Sequence, residues 1–119
     1  MIDVVGTTVT VMVADLDRAQ AFYCDRLGFS VSYRAGPHHC QLERDGFLLG
    51  LHPTSASSEG AGESKRVSIG FRVSDIAEAT ATLTAEGVGF PAGVVDDGPI
   101  KRADFSDPDG TPLYLVQTT

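Results

Sequence analysis

The side chains of this sequence best suited to proton transfer are His39, His52 and Glu43. Histidine titrates near neutrality, so an imidazole beside a second imidazole or a carboxylate could move protons. Asp45-Gly46 sets their geometry, because this dipeptide between two strand-like runs specifies a type I′ hairpin. The turn pairs Arg44 with Phe47 and fixes the register behind it. Counting back, Glu43 falls opposite Leu48, Gln41 opposite Gly50, and His39 opposite His52. Opposed residues share a face, so these six gather on one side while Cys40 and Leu42 turn to the other. A solvated cross-strand histidine pair at a sheet edge, with Glu43 exposed beside it, fits the same spacing. Other catalytic signatures are missing from the sequence: there is no Ser-His-Asp order, no phosphate-binding glycine loop and no Cys-x-x-Cys pair. Cys24 and Cys40 lack metal-type spacing and are expected to be reduced and buried.

The elements that must carry these residues occur twice. At one constant spacing, Val13-Ala14-Asp15-Leu16 recurs as Val73-Ser74-Asp75-Ile76, Ala19 as Ala79 and Ala21 as Ala81. One insertion later, Leu27-Gly28-Phe29 recurs as Val88-Gly89-Phe90. Each copy opens with period-two alternation, Val9, Val11 and Val13 in the first and Val67, Ile69, Phe71 and Val73 in the second, which predicts a half-buried strand. Asp15 and Asp75 stand at helix N-caps, where a carboxylate accepts from the first free N–H groups. Leu16, Ala19, Phe22, Tyr23 and Leu27 form one apolar helix stripe; Ile76, Ala79, Thr80 and Leu83 form the other. Gly28 and Gly87 suit the left-handed residue that ends a helix. Three strands should follow each helix, near 29–35, 38–44 and 47–52, then near 90–96, 100–106 and 111–117. Asp107-Pro108-Asp109-Gly110 makes the last turn, its carboxylates read as turn formers. The polar, aperiodic stretch 53–64 reads as a linker. The expected order is βαβββ (about 1–52), linker, βαβββ (about 65–119), together one α+β domain over 1–119.

Composition limits the choice of function. The chain has 119 residues, 42% hydrophobic and 21% charged, which suits one globular domain with a real core. Sixteen acidic residues against 9 basic give a formal charge of −7, so nucleic acid is not an expected partner. No segment is long and apolar enough to span a bilayer, and Met1 is followed almost at once by a strand-like run without a basic leader. Neither a membrane nor a secretory route is expected, and a cytoplasmic setting is.

Taken together, Val13-Ala14-Asp15-Leu16, Phe22-Tyr23, Leu27-Gly28-Phe29 and Asp107-Pro108-Asp109-Gly110-Thr111-Pro112-Leu113 resemble the vicinal oxygen chelate superfamily, the glyoxalase/bleomycin-resistance/dioxygenase group. The resemblance covers nearly the whole chain. It implies that the strands curl into a curved mixed sheet with helices on the outer face, and that a cleft lies on the concave side. It also implies a homodimer. In metal-dependent relatives a histidine opens each module's first strand and a glutamate lies in its last strand. The matching residues here are Thr8, Gly50, Ser68 and Tyr114, which supply no imidazole or carboxylate. No metal and no other cofactor are therefore expected.

With the helix-facing valines assigned to the core, alternation turns Thr8, Thr10 and Met12 to the cleft, with Leu48, Gly50 and His52 from the fourth strand. Ser68, Gly70 and Arg72 follow in the second module, and Tyr114 faces the same way because Leu113 and Leu115 face the core. The expected ligand-binding set is Thr8, Met12, His39, Gln41, Leu48, Gly50, His52, Ser68, Arg72 and Tyr114, with Thr8 and Ser68 approaching across a pseudo-twofold axis. Blander readings remain open: Tyr114 as a space-filling residue, Arg72 as an exposed strand-end charge, and Thr8 and Ser68 as remnants of lost ligands. The favoured function is metal-independent binding of a planar or amphiphilic organic molecule, with drug sequestration as one version; the acidic surface would suit a cationic ligand. A metal-dependent lyase or dioxygenase with relocated ligands at His39 and His52 is the alternative. A non-catalytic accessory domain is the third.

Overall fold

The computed structural model describes residues 1, 3, 5, 7–53, 68–96 and 98–118. The chain divides into two compact units, Met1–Gly62 and Glu63–Thr119. Each is a βαβββ module with its own four-stranded mixed sheet and one helix.

In the first module β1 (Thr8–Val13) leads to α1 (Leu16–Leu27), then β2 (Ser30–Ala35), β3 (His39–Arg44) and β4 (Phe47–Pro53). The sheet order is β1-β4-β3-β2, with β1 parallel to β4 and the remaining pairs antiparallel. The Asp15 carboxylate accepts from the Arg18 N–H at 3.1 Å and starts the helix. Gly28 ends it with φ +75°. Asp45 and Gly46 both have positive φ, 51° and 84°, as the type I′ turn demands. Val11, Val13, Leu16, Ala19, Tyr23, Cys40, Leu42, Leu49 and Leu51 are buried as the core. Phe22 and Leu27 are half-buried at the rim of the helix stripe.

The second module repeats the plan with β5 (Ile69–Arg72), α2 (Ile76–Ala85), β6 (Val95–Asp96), β7 (Ile100–Ser106) and β8 (Pro112–Thr118), in sheet order β5-β8-β7-β6. Asp75 caps α2 through the Glu78 N–H at 3.0 Å. Gly87, with φ +95°, takes the left-handed position just after the helix. Ile69, Ile76, Leu83, Val88, Ala103, Phe105, Leu113 and Leu115 form the core. Asp107 is buried and its Oδ1 accepts from the N–H groups of Asp109 and Thr111, at 2.9 and 2.8 Å, which fixes the turn into β8.

One expectation needs correction. The strand foreseen over 90–96 shrinks to Val95–Asp96. Pro91 has no N–H to give a ladder, and a turn closed by Gly93 N–H to Phe90 O at 2.9 Å takes the chain away instead. In β2, the pairing with β3 shifts between Val31 and Tyr33, a bulge that simple alternation does not foresee. The expected linker residues after Pro53, and Val67, lie outside the described residues. Among the described residues no helix is long and apolar enough to cross a membrane.

Candidate functional site

In the first module, the face away from α1 is built by register. Thr8 pairs with Leu48, Thr10 with Gly50 and Met12 with His52 across β1 and β4. Gln41 pairs with Gly50 and Glu43 with Leu48 across β3 and β4. The intervening Val11, Val13, Leu49 and Leu51 are buried, so Thr8, Thr10, Met12, Leu48, Gly50, His52, Gln41 and Glu43 share the other face, as strand alternation requires. His39 and His52 do meet, with ring centroids 6.4 Å apart and planes tilted by 53°. His52 Nδ1 lies 2.9 Å from the carbonyl of Pro53, which can only accept. Nδ1 therefore carries a proton, and in the neutral ring Nε2 is the acceptor. His39 leans toward the gap left by Gly50: a Cβ there would meet Thr10 Oγ1 at 3.1 Å and His39 Cε1 at 3.2 Å. Ser32 Oγ donates to the Gln41 carbonyl at 3.1 Å.

Tyr33 was missed by the sequence. The bulge in β2 pairs it with Gln41 and leaves it 60% exposed on the site face. No residue type in the segment marks the bulge.

In the second module, Gly70 pairs with Tyr114 and Arg72 with Val116 across β5 and β8. Arg102 pairs with Val116, Asp104 with Tyr114 and Ser106 with Pro112 across β7 and β8. The Tyr114 ring lies across the sheet over Gly70, where any Cβ would overlap it. The Arg102 guanidinium carbon stands 3.9 Å from the centroid of that ring. Arg102 Nε in turn bonds Asp104 Oδ1 at 2.7 Å. Next to this stack is a concavity of about 450 Å³ lined by residues that include Ser68, Arg102, Asp104, Ser106 and Pro112. Arg72 is exposed two pairs further along β5. Arg102 and Asp104 are additions to the expected set; in the sequence Arg102 stands out only as half of a basic pair. Counting back from Pro112 through the last hairpin would have placed Asp104 beside Tyr114, had the turn length been known.

The cysteines belong to neither face. Both are free, Cys40 buried and Cys24 half-buried. Burial raises both thiols above the usual cysteine range; neighbouring Cys40 and Asp25 raise Cys24 further, and Arg34 partly offsets the rise at Cys40. Both therefore remain protonated at neutral pH and are poor nucleophiles.

A family model described as the Glyoxalase/Bleomycin resistance protein/Dioxygenase superfamily matches residues 6–115. The chain belongs to this superfamily. Its fold is shared with solved members. A genomically encoded fosfomycin resistance protein from Listeria monocytogenes superposes with TM-score 0.80 at 20% identity, covering 100% of this chain and 96% of that one. An antibiotic binding protein from a Streptomyces species gives TM-score 0.75 at 25% identity, covering 100% and 99%. A superfamily protein from Nocardioides gives 0.76 at 22% identity, covering 99% and 85%. No curated protein matches the sequence.

The sequence resemblance matches four positions of this chain, two in each module, to the ligand positions of metal-dependent members. In the first they hold Thr8 and Gly50, and the room a side chain at 50 would need is bounded by Thr10 and His39. In the second they hold Ser68 and Tyr114, whose phenol lies over Gly70 under the Arg102 cation. Two hydroxyls, a bare glycine and a phenol are not a donor set for a divalent ion. These residues do not fit the metal.

Proposed function

We propose that this chain is a metal-independent small-molecule-binding protein that sequesters an organic ligand without transforming it. The observation that carries the reading is the donor chemistry of Thr8, Gly50, Ser68 and Tyr114, which cannot anchor the Lewis acid on which metal-dependent members of the superfamily rely. Without that ion or an activated nucleophile, the faces are left with shape, hydroxyls, imidazoles and one stacked guanidinium. Those are the parts of a binding site. The antibiotic binding protein from Streptomyces, 25% identical over the full chain, supports small-molecule binding as a use of this fold. Thr8, Met12, His39, Gln41, Leu48, Gly50 and His52 would offer ligand contacts on the first module. Ser68, Arg72 and Tyr114, joined by Arg102, would offer them on the second.

The histidine pair favours a second reading, a lyase or dioxygenase whose metal has moved to His39 and His52. Among the described residues, however, no group of three or more His, Cys, Asp or Glu is placed to hold an ion, so two imidazoles would act without a third such donor. Exposed Val31 and Tyr33 on the edge strand β2 support a homodimer, since unpaired apolar edges are usually covered. Light scattering should then give twice the 12.5 kDa chain mass. Two free thiols support a reducing, cytoplasmic setting.

The deciding experiment is a thermal-shift panel of planar and amphiphilic compounds, run with and without EDTA. Ligand binding to the folded state should raise the melting temperature, equally in both buffers. A shift abolished by EDTA and restored by zinc or manganese would select the metal-dependent reading. A panel without any shift would select a non-catalytic accessory domain.

A further inference from the structure

Arg102 is organised before any ligand arrives. Asp104 holds its Nε at 2.7 Å, and its guanidinium carbon sits over the Tyr114 ring, 3.9 Å from the centroid. That ring can lie flat because Gly70 beneath it has no Cβ. An arginine ordinarily loses rotamer freedom when it grips a ligand; here much of that loss has already happened on folding. Asp104 uses only Nε, and no described residue accepts a hydrogen bond from Nη1 or Nη2. These two nitrogens carry parallel N–H groups at the end of the fork, the arrangement that matches both oxygens of a carboxylate. Arg102 also lines the 450 Å³ concavity, together with the hydroxyl residues Ser68 and Ser106 and the apolar residues Pro91 and Pro112.

We propose that this concavity takes an organic acid, its carboxylate held end-on by the Nη atoms of Arg102 and its apolar body laid against Pro91 and Pro112. The proposal rests on the small-molecule-binding reading and narrows it to a ligand class. It runs against the chain's overall charge of −7, which by itself would suit a cation. Distant charges are screened over about 8 Å at physiological ionic strength, so the local fork decides. Asp104 cancels most of the attraction at long range. Recognition is then a matter of directed hydrogen bonds, and it should require the planar fork as well as the charge.

The test uses NMR titration of the isotope-labelled full chain with three matched pairs: benzoate and benzamide, 2-naphthoate and 2-naphthamide, decanoate and decanamide. The expected result is that the acid of at least one pair binds about tenfold or more tighter than its amide, the scale of a charge-assisted bidentate contact. The shifted amide signals should include Ser68 and Ser106. Arg102→Gln should remove the acid preference, bringing the acid down to the affinity of its amide, and an otherwise unchanged amide spectrum of the free variant would show that the concavity is still folded. Arg102→Lys, which keeps the charge without the fork, should retain only part of the preference. Equal affinity for acid and amide, or an acid preference that survives Arg102→Gln, would overturn the organic-acid assignment and leave small-molecule binding standing. If no compound of the six perturbs Ser68, Ser106 or Arg102, the concavity is not a ligand site, and both the assignment and the binding reading of this module fail.

Discussion

The two modules place a glycine in the same central row of their sheets but on different strands. In the first module it is Gly50 on β4, opposite Thr10 of β1, and the gap is approached by Thr10 and His39. In the second it is Gly70 on β5, opposite Tyr114 of β8, and the gap is covered by the phenol ring and capped by Arg102. The frames that carry these rows are alike: an aspartate caps each helix, a left-handed glycine follows each helix, and the sheet orders correspond. What differs is which strand surrenders its side chain. A repeat can thus keep its fold while the chemistry of its central row is rewritten by exchanging a glycine between neighbouring strands. One module then presents imidazoles and hydroxyls, and the other a braced cation.

The largest expected effect is at Gly70. Gly70→Ala places a methyl group where the ring lies, so Tyr114 must swing away and lose its Arg102 contact. We expect a loss of about 1–3 kcal/mol in urea unfolding, the usual cost of overpacking. A stability within 0.5 kcal/mol of the parent, taken here as roughly the scale of a neutral surface change, would show that the stack contributes little. Next comes the coupling between the two residues. In a Tyr114→Ala background the three atoms nearest to that methyl are gone, so Gly70→Ala should become nearly neutral, with an interaction energy of about 1–2 kcal/mol in the double-mutant cycle. Additive effects would contradict direct packing of the ring on Gly70. Smaller still, Asp15→Ala and Asp75→Ala should each cost about 1 kcal/mol, because both caps use the same bond to the first-turn N–H three residues on. Markedly unequal costs would mean that the two frames are less alike than their geometry. Smallest is Gly50→Ala. Its Cβ would stand 3.1 Å from Thr10 Oγ1 and 3.2 Å from His39 Cε1, so small side-chain shifts should absorb it. The change should fall within about 0.5 kcal/mol, with part of the strain offset by the lower entropy of the unfolded chain.

The frame was legible in the sequence because each of its parts has a local cause. Asp15 and Asp75 precede apolar periodicity, Asp45-Gly46 can adopt the paired positive φ values of a two-residue turn, and the valines of β1 alternate without interruption. From that turn alone, the register of β3 on β4 follows, and with it the facing of Gln41, Glu43, Leu48 and Gly50. The rest depends on contacts that no local pattern encodes. The bulge that exposes Tyr33 is a fault in pairing, invisible to the residue types on either side of it. The turn at Phe90–Gly93 consumes a strand whose composition reads as extended. Arg102, Asp104 and Tyr114 become a unit only through Gly70, far away in sequence and ordinary in appearance until the ring is seen lying on it. A glycine inside a strand does mark a close approach; the sequence does not say what approaches.

The central claim is that the superfamily's metal positions cannot hold an ion in this chain, and metal content tests it most directly. Protein purified without chelator, dialysed and measured by inductively coupled plasma mass spectrometry should contain far less than one equivalent of zinc, nickel, iron or manganese per chain. The same preparation should still give its ligand-induced thermal shift. One equivalent of any of these metals that resists dialysis, and whose removal abolishes the shift, would contradict the account.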